Sequence, residues 1–159
     1  MTQLARVLYL SAAARHLDRD DVDAILFAAR RNNAANGITG ILLYLDDAFL
    51  QVLEGECGAL DRTLERISAD DRHDAMRVLL REEVSARRFP EWSMGFHHVE
   101  KWHKDESAVF ELSRDVLAGR LKGGGEDALS ALILNFWRLA DRHASGTSAA
   151  RVGLPSATP

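Results

Sequence analysis

Gly40-Ile41-Leu42-Leu43-Tyr44-Leu45-Asp46-Asp47-Ala48-Phe49-Leu50-Gln51-Val52-Leu53-Glu54 is the stretch that decides the fold. Two runs rich in branched and aromatic residues, 40–45 and 48–54, flank Asp46-Asp47, so the stretch reads as two antiparallel strands joined by a tight turn. Phe49, Gln51 and Leu53 alternate with Leu50, Val52 and Glu54, which puts Gln51 between two apolar side chains on one sheet face. A polar group in that position needs a partner, because leaving it unpaired in a core costs on the order of 1–3 kcal/mol.

Toward the N-terminus, Arg6-Val7-Leu8-Tyr9-Leu10-Ser11 fits a buried first strand. The acidic stretch Leu17-Asp18-Arg19-Asp20-Asp21 suits the start of a helix, where carboxylates cap free amides. From Asp21 the apolar residues Val22, Ile25, Leu26 and Ala29 repeat at helical spacing, and Asn36-Gly37 ends the helix. Asn33 lies four residues past Ala29, on the same inward stripe. Toward the C-terminus, a second helix is predicted from about Gly58 to Ser68, on the spacing of Leu60, Leu64 and Ile67. Asp70 to His73 turns the chain into a strand over Met76 to Val84. After Pro90, Trp92 to Phe96 reads as an edge strand on which Trp92 and Met94 share a face.

The order is that of an α+β, ferredoxin-like βαββαββ sheet with two helices on one face. Strands one and three are then central neighbours, which sets Tyr9 beside Gln51, with its hydroxyl able to donate to the amide carbonyl. Asn33 converges from the first helix. Three neutral hydrogen-bonding groups suit a heterocycle with alternating donors and acceptors better than a charged substrate. A polar cluster satisfied within the core fits the same residues. The other sheet face needs a cover, and two further helices, Ser107 to Leu121 and Glu126 to Ala140, are candidates. The second carries Leu129, Leu132, Ile133, Leu134, Phe136, Trp137 and Leu139, too much apolar surface for a lone solvated helix. It is expected on the open sheet face, on a partner subunit, or on both. The division is therefore 1–98 for a sheet domain, 99–143 for a helical extension, and 144–159 for a small, polar tail expected to be disordered.

Composition narrows the function. The chain has 159 residues and a formal net charge of -4, which gives no field for nucleic acid or an anionic membrane. Cys57, in a turn-like stretch, is the one cysteine, so an internal disulfide and a Cys-rich zinc site are excluded. The histidines show no HExxH spacing and no metal is expected; His97, His98 and His103 are the grouping closest to one. A signal peptide and a run of about 20 apolar residues are both missing, which points to the cytoplasm. Seventeen of the 20 basic residues are arginine; Arg72-His73 reads as a solvated turn or as a phosphate contact, and Arg30-Arg31 as the wet side of the first helix or as a second such contact.

Several stretches together resemble the BLUF family of flavin-binding blue-light sensors. They are Leu8-Tyr9-Leu10-Ser11, Asn32-Asn33, Gly37-Ile38-Thr39-Gly40-Ile41-Leu42, Phe49 to Gly55, Asp71-Arg72-His73 and Arg88-Phe89-Pro90-Glu91-Trp92-Ser93-Met94-Gly95-Phe96, in order over about residues 5 to 98. The resemblance implies FAD held non-covalently between the two helices of the domain. It implies that Tyr9 and Gln51 are the photoactive pair and that Asn33 bonds the pyrimidine edge of the ring. Ile25 would wall the ring pocket, Asn32 would occupy a variable position beside it, and Arg72 and His73 would meet the outer end. Trp92 or Met94 would relay the signal. Ala29 departs from members that carry a serine there, and its methyl cannot donate.

The function so implied is that of a photoreceptor and not of an enzyme. No GGDEF, EAL or cyclase sequence follows in the chain, so the signal is expected to leave through contacts, with a homo-oligomer and a downstream protein as partners. Two alternatives stand beside it: a non-photoactive flavin-binding or structural module, and a small acylphosphatase-like enzyme of the same topology. The second lacks a visible phosphate loop between Leu10 and Arg19.

Overall fold

The computed structural model describes residues 2–45, 47–98, 127–136 and 138. Its elements run β1 (Leu4–Ala13), α1 (Arg19–Asn36), β2 (Thr39–Leu45), β3 (Ala48–Glu56), α2 (Cys57–Ser68), β4 (His73–Glu83) and β5 (Gly95–His98). A further helix, α3, covers 128–136. The strands form one sheet in the order β4-β1-β3-β2-β5. Its first four strands are antiparallel neighbours, and β5 adds parallel to β2 at the edge. This is the expected α+β, ferredoxin-like arrangement, with β1 and β3 at its centre. Gln51 opposes Tyr9 on one side and Leu42 on the other.

Local chemistry sets the element ends. The Asp18 side chain accepts from the Asp21 amide, and the Asp21 side chain accepts from the Asp18 amide, so a reciprocal cap starts α1 just before the apolar stripe that opens at Val22. Gly37 closes α1 at a φ of 64°, a left-handed turn that lets its N–H reach the Asn33 carbonyl. Cys57 belongs to the first turn of α2 and not to a loop; its N–H donates to the Gln3 carbonyl.

Two apolar layers sandwich the sheet. Val7, Tyr9, Leu42, Phe49 and Leu53 face Val22, Ile25 and Leu26 of α1 and Leu60 of α2. On the reverse face, Leu8, Ile41, Leu43, Leu50 and Val52 pack with Phe89 and with Leu129 and Ile133 of α3. The period-two alternation of β1, β2 and β3 thus feeds both layers, and α3 covers the second as its apolar stripe requires. Trp137, the helix expected over 107–121 and the tail after 143 lie outside the described residues. Among the described residues no helix is long and apolar enough to cross a membrane.

The expected edge strand over 92–96 is displaced. The pairing starts at Gly95, after a bend in which Trp92 N–H donates to the Phe89 carbonyl and Gly40 N–H donates to the Trp92 carbonyl. Strand alternation therefore does not run through Trp92 and Met94, and they face opposite layers. Trp92 stacks on Phe89 (centroids 5.8 Å apart, planes at 18°) on the α3 side, whereas Met94 is buried in the α1 and α2 layer.

At Gly40 of β2 the backbone of β3 leaves no room for a side chain. A Cβ there would lie 1.9 Å from the Val52 carbonyl oxygen and 2.9 Å from its carbon. Only strand separation could relieve the clash, since the obstacle is backbone. Gly40→Ala is expected to lower stability by about 3 kcal/mol. Urea unfolding checks it; a midpoint equal to wild type would show that the hairpin absorbs a methyl.

Candidate functional site

A cavity of about 300 Å³ opens between α1 and α2 above the centre of the sheet. Tyr9 of β1, Leu42 of β2 and Gln51 of β3 form its floor. Ile25, Ala28, Ala29, Arg31, Asn32 and Asn33 line it from α1, and Arg66 and Ile67 from α2. Asp70, Arg72 and His73, around the start of β4, complete the wall. Tyr9, Ile25, Asn32, Asn33, Gln51, Arg72 and His73, singled out from sequence, are all brought together here. Met94 reaches the site through Gln51, and Trp92 does not line it.

The floor is polar where it should be dry. The Tyr9 side chain is fully buried, and its hydroxyl has no hydrogen-bond partner among the described residues. Burial, with a smaller contribution from the Asp70 carboxylate, pushes the phenol pKa well above 10.0 and keeps it neutral. The expected bond from Tyr9 to Gln51 is not formed. Instead the Gln51 amide Nε2 donates to Met94 Sδ at 3.5 Å. A register shift between β1 and β4 falls at Leu8/Tyr9, so the strand is irregular beside the hydroxyl-bearing residue. Asn33 is 3% exposed, as its position on the stripe implied, and its Nδ2 donates to the Ser93 carbonyl at 2.8 Å. Arg30 Nε donates to the next carbonyl, that of Met94, at 2.9 Å.

The outer end is charged. Arg72 donates through Nε and Nη2 to the Asp70 carboxylate, the latter at 2.5 Å, and this pairing holds the Asp70 pKa at about 2. His73 Nδ1 lies 3.1 Å from Ser11 Oγ, and its ring centroid is 5.1 Å from that of Phe49. Burial lowers the His73 pKa from 6.5 by disfavouring the cation. The stability that follows is complete above pH 6.5 and is lost as pH falls through the depressed value, because the unfolded chain then binds the proton more tightly. His73→Asn should therefore lose less stability than wild type between pH 7.5 and pH 5.5. Thermal unfolding at the two pH values checks this, and equal losses would free His73 of that role.

These groups fit a flavin ring. Ile25, Leu42 and Ile67 offer apolar walls, Ala28 and Ala29 keep the α1 side shallow, and the orphaned Tyr9 hydroxyl, Gln51 and Asn33 offer neutral polar contacts. Among the residues missed from sequence, Leu42 was available from the hairpin register and Ile67 from the α2 stripe. Arg66 carried no signal, since it sits on the exposed side of α2. Among the described residues no group of three His, Cys, Asp or Glu side chains could hold a metal. His103 and the side chains of His97 and His98 lie outside what is described.

The family model for BLUF, sensors of blue-light using FAD, matches residues 4–95. The chain belongs to the BLUF family. This BLUF protein is a flavin-based blue-light sensor. It is 32% identical over 118 residues to the photoactivated adenylate cyclase subunit alpha of Euglena gracilis, covering 71% of this chain and 12% of the relative. It thus spans about an eighth of the length of the curated relatives it matches. The dark-state structure of the BLUF protein BlrB is 40% identical, covers 62% of this chain and 74% of its own, and superposes with a TM-score of 0.58. BlrP1 of Klebsiella pneumoniae, solved with FMN and cyclic diGMP, is 28% identical with a TM-score of 0.69, over 85% of this chain and 34% of its own.

Proposed function

We propose that this BLUF protein holds FAD non-covalently in the cavity between α1 and α2, catalyses no reaction itself, and signals through its C-terminal helices. The receiving contacts are a second copy of the chain and a downstream protein. The observation that carries the reading is the buried Tyr9 hydroxyl, without a partner among the described residues and opposite Gln51 on the floor of the cavity. Ile25, Asn32, Asn33, Arg72 and His73 hold the cofactor. Arg31 and Arg66, on facing helices at the rim, support a dinucleotide, whose diphosphate suits paired guanidiniums.

A bound flavin supplies the blue absorption and, once excited, an electron acceptor. Tyr9 would be the residue that supplies the electron. Because burial disfavours the phenolate, it starts as a neutral phenol, and it would pass electron and proton together toward the ring and take both back on recombination, so that no net oxidation or reduction remains. Gln51 keeps the record of the event. Rotation or tautomerisation of its amide exchanges which atoms donate and accept, and either change alters the bond to Met94 Sδ. Asn33 keeps its bond to the Ser93 carbonyl and fixes the frame against which Gln51 moves.

Gln51→Leu tests this reading. With no amide left to rearrange, the variant should retain flavin and show less than a tenth of the wild-type red shift under blue light. Chromatography of the released flavin against FAD and FMN standards settles the cofactor. A wild-type shift in Gln51→Leu would remove Gln51 from the switch.

A further inference from the structure

Residues 88–94 are tied at both ends to functional parts of the sheet. At the near end, the Glu54 carboxylate is fully buried and accepts from Arg88 N–H at 2.9 Å and from Phe89 N–H at 2.8 Å. Arg6, directly opposite on β1, donates to the same carboxylate through Nε at 2.7 Å. At the far end, Ser93 and Met94 are held by Asn33, Arg30 and Gln51. The Arg88 guanidinium leaves this segment and grips α3. Its Nη1 and Nη2 donate to the two oxygens of Asp127, and Nη1 also donates to Ser130 Oγ at 3.2 Å.

Asp127 is at the same time the cap of α3: its Oδ1 accepts from the Ser130 amide at 2.8 Å, and its carbonyl accepts from the Ala131 amide at 3.0 Å. One carboxylate therefore holds both the first turn of α3 and the segment that Glu54 anchors. Beneath it, Phe89 packs with Leu129 and Ile133 while Trp92 stacks on Phe89. A bidentate arginine–carboxylate pair fixes orientation as well as distance. A shift of the segment therefore moves α3 or breaks the pair.

We propose that residues 88–94 form a strap that carries the state of the Gln51 amide to the start of α3, with the Arg88–Asp127 ion pair as the point of transfer. The strap rests on the reading of Gln51 as the light-switched group. When that amide rearranges, the strap loses its sulfur contact at Met94 and keeps its pivot at Glu54. The displacement is then delivered to Asp127. Trp92 contributes to this route as packing on the α3 face.

Two variants separate the tie from the helix cap. Arg88→Gln removes the guanidinium. Asp127→Ser removes the ion pair while keeping a good capping residue. Hydrogen exchange of the full chain, dark and lit, is read together with absorption spectra. Both variants should keep the wild-type red shift and raise dark exchange of amides in 128–136 at least ten-fold. Both should also lose the light-dependent change there that wild type shows. Unchanged dark exchange in both variants would overturn the tie. A light-dependent change of wild-type size in both, or a red shift in wild type without any change at 128–136, would overturn the transfer. A wild type with bound flavin and no red shift would instead overturn the Gln51 reading and the transfer with it, leaving the dark exchange to judge the tie.

Discussion

Tyr9→Phe will bind flavin at wild-type stoichiometry and show no reversible red shift under blue light. The substitution keeps the ring in the helix-side layer, where Tyr9 packs among Val7, Leu42 and Phe49, and deletes only the hydroxyl. That hydroxyl has no partner among the described residues, so its removal breaks no bond there and relieves the cost of a buried unpaired group. Stability should therefore be equal to wild type or higher by about 1 kcal/mol. Photochemistry should vanish, because phenylalanine has no proton to release and is far harder to oxidise. Difference spectra and urea unfolding of the same samples separate the two effects. A shift of wild-type size would show that Tyr9 is not the donor.

Glu54→Ala should be the most destabilising of the substitutions considered. The side chain is fully buried, and its two oxygens take Arg6 Nε and the amides of Arg88 and Phe89. Arg6 itself is 7% exposed along its side chain. Its second contact, to Glu82 at 2.9 Å, is with a carboxylate 39% exposed and correspondingly screened. Removing Glu54 leaves a buried guanidinium short of its main counter-charge and two amides without an acceptor. Breaking a buried pair by deleting one partner costs about 3–5 kcal/mol. Urea unfolding reads this directly, with Glu54→Gln as a milder companion that keeps shape and one acceptor. A loss below about 1 kcal/mol would mean that Arg6 is adequately served by Glu82 and water.

Glu54 also shows where reading the sequence stops. Alternation places its carboxylate with Leu50 and Val52, on a face that must be buried, and nothing nearby in sequence explains a charge there. Its acceptors' partners come from β1 and from residues 88–89, which only the folded sheet brings close. Period-two patterns did carry the strand faces, the short turn after Leu45 fixed the register of β2 on β3, and the ferredoxin-like strand order set Tyr9 beside Gln51. Helical spacing likewise turned Asn33 inward. Its donation to the Ser93 carbonyl, though, is a tertiary contact without a local signature. The reading of Trp92 and Met94 failed for a definite reason: it applied strand alternation across a bend, and the two side chains part to opposite layers. The same bend explains why the Gln51 amide meets sulfur and not an indole.

The BLUF assignment and the cavity leave one question on which the rest depends, whether Tyr9 and Gln51 form a light switch. Absorption spectra of the purified full chain, loaded with FAD and recorded in the dark, during blue illumination and after return to darkness, test it most directly. Expected is a small red shift of the oxidised flavin bands that forms in the light, reverses in the dark and can be repeated on the same sample. A spectrum that stays unchanged with flavin bound at full stoichiometry, or one that bleaches without recovery, would contradict a hydrogen-bond switch at Tyr9 and Gln51.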